Sequence, residues 1–159
     1  LASNKDIDSI AFDIDPIAVE KNYIQSKQNK ETHILPLLMD LSNPSPGIGW
    51  AHDERDSFTK RGPADLIMSL ALIHHITISN NISFTMFADF LSKICKYLIM
   101  EFVPKTDSQV SRLLRTRKDI FEDYDQQNFE KSFSNFFDII EKKDVTSSER
   151  TLYLMKIKT

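Results

Sequence analysis

Residues 8–23, DSIAFDIDPIAVEKNY, constrain the fold more than any other stretch, because a short apolar run gives way to a capped helix within three residues. Ser9 to Phe12 read as a buried strand that Asp13 ends, and Asp15-Pro16 supplies a capping carboxylate followed by proline at the first helical position. The outcome is a βα unit with an acid at its turn. Ligands of open α/β sheets bind just beyond the carboxyl ends of strands, so Asp13 is placed to hold a ribose through its hydroxyls. Asp13 and Asp15 serve equally well as plain turn and cap residues, and this unit alone leaves both readings open.

The remainder continues the alternation. After a helix over about Pro16 to Lys27, the polar run QSKQNKE turns the chain and THILPLLMD reads as a second strand ending at Asp40. Pro36 puts that strand at a sheet edge or starts it after the proline, since proline cannot donate to a central ladder. SNPSPGIGW reads as a folded surface loop that packs down or covers a ligand, with a structural role the simpler one for Trp50. Residues 51–61 read as a short charged helix that Gly62-Pro63 stops. ADLIMSLALIHHI then has the continuous apolar character of a central strand buried on both faces, with His74 and His75 at its carboxyl end and TISNN as a polar loop.

Ser83 is placed to cap a helix whose Phe84, Phe87, Phe90, Leu91 and Ile94 fall at helical spacing, which is a core stripe. KYLIMEFV is a further strand with Glu101 near its end. Thr106 or Asp107 can cap a helix from about Ser108 to Arg117, and its cluster of Arg112, Arg115, Arg117 and Lys118 is read as a solvated face. Another amphipathic helix spans about Gln126 to Phe137. FDIIEKKDV and TLYLMKIK, joined by TSSER, form an antiparallel hairpin. The order specifies an α/β sandwich, a mostly parallel sheet with a C-terminal antiparallel hairpin, as a single domain over residues 1–159.

Composition excludes several functions. A net charge of -3 lacks the basic excess expected of a chain that tracks phosphate backbones, so nucleic acid is not expected as a partner. The single cysteine, Cys95, excludes an internal disulfide and fits a reducing, cytoplasmic setting. No apolar run is long enough to span a membrane. Oligomeric state is not legible.

Two chemistries compete for FDID. Asp13 and Asp15 have the spacing of the aspartate pair in haloacid-dehalogenase-type phosphatases, and Ser69 could pass for the phosphate-binding serine. Pro16-Ile17 follow where that pattern needs a small hydroxyl residue, and no glycine precedes an aspartate, so the late acids that would hold magnesium are missing.

FDIDPIAVEKNY, LPLLMDL, ADLIMSLALIHHI and the terminal hairpin instead resemble a class I S-adenosylmethionine-dependent methyltransferase. More narrowly, LMDLSNPSPGIGW, RGPADLIMSLALIHHITISNN, EFVPKTDSQV and SERTLYLM resemble the bacterial group that includes host-specific nodulation proteins. The resemblance implies S-adenosyl-L-methionine as cofactor, with Asp13 at the ribose hydroxyls and Ile14 beside it. It implies Asp40 at the adenine amino group with the Leu41 backbone adjacent, and Leu70 and Ala71 in the cofactor-lining motif. His74 and His75 become candidate catalytic groups, and with Asn80, Asn81 and Glu101 they are the candidates for contact with an unidentified methyl acceptor. The prolyl-prolyl-aromatic motif that orients planar amines is absent, which leaves direct transfer to an oxygen or nitrogen of a small molecule, sugar or protein.

The family's glycine-rich first loop has no counterpart in these residues. If Ser9 to Phe12 is the family's second strand, the first strand and its loop are expected upstream of residue 1. The missing place is then expected as a gap between the Ser9 and Leu66 strands, as a slot filled by a symmetry-related or swapped segment, or as a rearranged sheet, with weak or no cofactor binding by these 159 residues alone. A non-catalytic α/β interaction module is the remaining alternative.

Overall fold

The computed structural model of the protein describes residues 7–158. The chain divides into two compact units, the first ending at Phe58 and the second starting at Thr59.

In the first unit, β1 (Ser9–Asp13) leads into α1 (Pro16–Gln28) and returns as β2 (Ile34–Leu38), parallel to β1 with Ser9 opposite Ile34 and Asp13 opposite Leu38. The helix starts where its sequence dictates. Asp15 is the cap, its Oδ1 accepting from the Ile17 amide at 2.9 Å, and Pro16 contributes a preset φ where no N–H is needed. Among the described residues β2 pairs with β1 alone, so Pro36 sits on an edge strand, where the missing donor costs no ladder bond.

Two expectations fail in the following loop. Residues 51–61 form no α-helix but two 3-10 turns, Trp50–His52 and Thr59–Arg61. Gly49 at φ 95° and Ala51 and His52 at 55° and 60° wind the chain too tightly for helical propagation, and the segment offers no apolar stripe to reward a helix. Trp50 does not pack down either, since it is 87% exposed.

Among its described residues the second unit carries four strands in the order β3-β4-β6-β5. β3 (Ala64–Ser69) pairs parallel to β4 (Cys95–Phe102), and β5 (Phe137–Asp144) and β6 (Thr151–Ile157) form the antiparallel hairpin that adds to β4. Thr151, Tyr153 and Met155 are buried and Leu152, Leu154 and Lys156 are less so, which is the period of two that a one-sided sheet requires. Against the buried face pack α2 (Phe84–Ser92), capped by Ser83, and α4 (Gln126–Phe133), capped by Asp125. Their aromatic residues meet Phe102, Tyr124, Phe137 and Tyr153 in one cluster. Helix α3 (Ser108–Leu114) is capped by Asp107 and is shorter than its charge pattern suggested. Arg112, Arg115, Arg117 and Lys118 are exposed, as a solvated face should be.

The apolar run at residues 66–73 is shorter as a strand than its composition implies. β3 ends at Ser69, and residues 75–79 wind into a π-helical turn that buries Ile76, Thr77 and Ile78 rather than forming an open polar loop. Nor is β3 central, because among the described residues it is the edge of its sheet, with Leu66 46% and Met68 57% exposed. β1 and β3 belong to separate sheets and are not paired. Among the described residues no helix is long and apolar enough to cross a membrane.

Candidate functional site

In the first unit, the parallel register brings two acid-bearing strand ends side by side. The Met39 amide donates to the Asp13 carbonyl at 2.9 Å, so Asp40 leaves the sheet one residue beyond the last contact with β1. Asp13 Oδ1 accepts from the Asp15 amide at 2.9 Å, which fixes the carboxylate at the turn while the residue stays exposed. Asp15 is occupied as the helix cap, so the two aspartates do not act as a facing pair. Asp40 Oδ1 accepts from both the Ser42 hydroxyl (2.7 Å) and the Ser42 amide (2.8 Å), and these bonds hold its carboxyl below the ordinary range. It is therefore an anion at neutral pH on an exposed residue. Ile14 is 65% exposed beside Asp13, an apolar surface at the same strand end. Leu41, half-buried, follows Asp40.

The donor set suits the adenosine half of the expected cofactor. One carboxylate can accept from vicinal hydroxyls and a second from an exocyclic amine, with Ile14 as an apolar platform. The methionine half has no glycine loop among the described residues: Gly47 and Gly49 lie in the loop after β2, and Gly62 precedes β3. No three His, Cys, Asp or Glu side chains among the described residues come together as a metal site.

In the second unit, the segment after β3 is held by Glu101 of β4, which is backed in turn by Arg150 and the α3 cap. Ala71 has φ 49°, unusual for a residue with a Cβ, and its amide donates to Glu101 Oε2 at 2.6 Å. Glu101 lies near the carboxyl end of β4, and its other oxygen is 3.5 Å from Arg150 Nη1. Arg150 Nε donates to Asp107 Oδ2 at 2.8 Å, and Asp107 in turn caps α3 through the Gln109 amide. The bond from Arg150 holds the Asp107 carboxyl low, and the two carboxylates push the guanidinium up. Beside this network is an open cleft of about 500 Å³ lined by Glu101, Thr106, Asp107, Arg150 and the hairpin turn. Thr106 also donates to Glu149, another lining residue.

The histidine pair is split by the π-helical turn. His74 is buried and His75 exposed, their rings 4.2 Å apart. Burial first, then the neighbouring His75 and Arg150, push His74 down to about 4, so it is neutral at physiological pH. Ser69 Oγ, His74 Nδ1 and Thr77 Oγ1 are buried with no partner among the described residues, and all three belong to this one segment. Asn80 and Asn81 are exposed at its end, where Asn80 donates to the His75 carbonyl at 2.9 Å and Asn81 has φ 56°. Leu70 is exposed and Ala71 half-buried. Cys95 is buried at the start of β4, and burial pushes its thiol up to about 11, which suppresses nucleophilic character.

Sequence reasoning did not single out Arg150 and placed Asp107 only as a cap. The partners of Arg150 lie 43 and 49 residues away, and nothing local marks that pairing. The one available signal was the position of Arg150 within SERTLYLM.

No protein-family model matches the chain. The nodulation protein NoeA of Rhizobium meliloti (strain 1021) is 37% identical over 145 residues, which cover 91% of this chain and 30% of that protein. The chain thus spans about a third of the length of that curated relative. Among solved structures, WbdD, a bifunctional kinase-methyltransferase, superposes at TM-score 0.62 and 13% identity over 97% of this chain and 31% of that one. PH0226 from Pyrococcus horikoshii OT3 gives 0.61 and 12% over 98% and 74%. The 16S rRNA methylase ArmA gives 0.54 and 17% over 99% and 67%. At these identities the likeness is one of fold.

Proposed function

We propose, from the premise that this chain has the S-adenosylmethionine-dependent methyltransferase-like fold, that it contributes the adenosine-binding and acceptor-facing parts of such an enzyme. The observation that carries the reading is the pair of carboxylates, Asp13 and Asp40, at the ends of adjacent parallel strands. In this reading Asp13 accepts from the ribose hydroxyls, Ile14 covers the adenine, and Asp40 accepts from the adenine amine beside the Leu41 backbone. Bound S-adenosyl-L-methionine would supply an electrophilic methyl group that needs no activation by the protein.

Leu70 and Ala71 line the cofactor. His75, Asn80 and Asn81, exposed after β3, face an acceptor whose reacting atom is an oxygen or nitrogen of a small molecule, sugar or protein. His74, buried and neutral, supports the segment. The protein's contribution is chiefly to hold donor and acceptor in line. The reduced, buried Cys95 fits a cytoplasmic enzyme.

Calorimetry with S-adenosylhomocysteine on the full-length protein tests the assignment. Asp13→Ala should weaken binding by about 10-fold or more, since a hydrogen bond to a charged acceptor contributes on the order of 1.5–3 kcal/mol. Asp8→Ala, next to the opposite end of β1 and paired with His33 at the surface, should leave affinity within about two-fold. Affinity unchanged in Asp13→Ala would remove the ribose assignment.

A further inference from the structure

Glu101 is a candidate acceptor contact in sequence, yet the structure gives its carboxylate another task, shared with Arg150. The segment from Ser69 to Thr77 is poorly self-supporting. It contains a left-handed non-glycine residue, a π-helical turn and three buried polar atoms without partners among the described residues. Each feature disfavours the conformation, so contacts from outside must over-determine it. Among the described residues, the bond from the Ala71 amide to Glu101 Oε2, at 2.6 Å, is the one charge-assisted contact the segment receives at its left-handed residue.

Glu101 itself is held from behind. Its side chain is 11% exposed and its second oxygen faces Arg150, which is anchored in turn by the 2.8 Å bond to Asp107 at the start of α3. One chain of contacts therefore runs from the α3 cap through Arg150, just before β6, and Glu101 of β4 to the main chain of Ala71. A carboxylate engaged on both oxygens is poorly placed to act as a base or to grip an acceptor.

We infer that Glu101, buttressed by Arg150 and Asp107, is a positioning residue that fixes the main chain at Leu70–Ala71, the part of the site that lines the cofactor. The functional half of this statement rests on the methyltransferase reading; the mechanical half does not. The network fixes the Ala71 main chain from β4, so a ligand filling the adjoining cleft would act on the same contacts.

Hydrogen–deuterium exchange of the full-length protein, with overlapping peptides that isolate Ala71, tests the mechanical half. Glu101→Gln and Arg150→Met should each accelerate exchange at Ala71 by about 10-fold or more, the protection lost with a charged acceptor. Exchange in β4 and β6 should stay within about two-fold of the parent. Arg150→Lys, which can hold one of the two carboxylates, should fall between the parent and Arg150→Met. In the same variants affinity for S-adenosylhomocysteine should fall by about 10-fold. Unchanged exchange at Ala71 in Glu101→Gln would overturn the inference. So would equal acceleration across β3, β4 and β6, which would make Glu101 a general support of the sheet. A parent protein that binds no S-adenosylhomocysteine, while Ala71 responds as stated, would count against the methyltransferase reading and uphold the mechanical inference.

Discussion

Phe129→Ala should destabilise the second unit by about 3–5 kcal/mol, a large share of what a domain of this size has in hand. Phe129 is fully buried on α4, and its ring centroid lies 4.5 Å from Phe133, 5.0 Å from Tyr153, 5.1 Å from Phe102 and 5.7 Å from Phe84. Those four partners come from two helices and two strands, so the ring is where helix layer and sheet meet. Removing it deletes apolar contact on every side and opens a cavity that stiff aromatic neighbours cannot close by rotation. Phe129→Leu, which keeps most of the volume, should cost roughly 1.5 kcal/mol or less. Denaturant midpoints at unchanged slope give the comparison. A loss below about 1 kcal/mol for the alanine variant would mean that this cluster is not the core of the unit.

Acid should weaken the fold through His74 before it does so through the paired carboxylates. The folded-state value of about 4 lies below the ordinary 6.5, so the folded protein keeps His74 neutral where the unfolded chain takes up a proton. The contribution is fully present above pH 6.5 and is lost progressively as pH falls toward 4. A shift of that size corresponds to a total of about 3 kcal/mol. Burial dominates; His75 and Arg150 push the same way, and Asp107 opposes them. Asp107, Asp119 and Asp125, all held low by their partners, lose their contributions at still lower pH. His74→Gln, compared with the parent by urea unfolding at pH 7 and pH 4.5, should lose about 2 kcal/mol less over that interval. Identical losses would show that His74 charges freely in the folded protein.

Much of this fold was legible where local chemistry and tertiary packing agree. Asp15-Pro16, Ser83 and Asp107 start helices because a carboxylate or hydroxyl meets an orphan amide within a few residues, a contact that needs no distant partner. The terminal hairpin was legible for the same reason, its alternation being local. β3 misled because a continuous apolar run does not say where a strand stops. Ile73, Ile76 and Ile78 are apolar to bury a helical turn, not to extend a strand. Nor does such a run reveal whether a neighbour is present, and among the described residues β3 is an edge. Residues 51–61 misled through charge: helix-compatible residues without an apolar stripe gain nothing by coiling.

The candidate site divides along the same line. Asp13 and Asp40 could be named because each ends an apolar run. Placing them on adjacent strands required the parallel pairing, which the alternation of strand and helix implied. Arg150 could not be assigned a role, since a turn arginine looks solvated until β6 is docked beside β4.

The most direct measurement is a crystal structure of the full-length protein with S-adenosylhomocysteine. The account predicts the ribose hydroxyls within hydrogen-bonding distance of the Asp13 carboxylate and the adenine amine at Asp40. It also predicts the Ala71 amide still bonded to Glu101. A nucleoside bound away from the carboxyl ends of β1 and β2, with Asp13 and Asp40 both facing solvent, would contradict it.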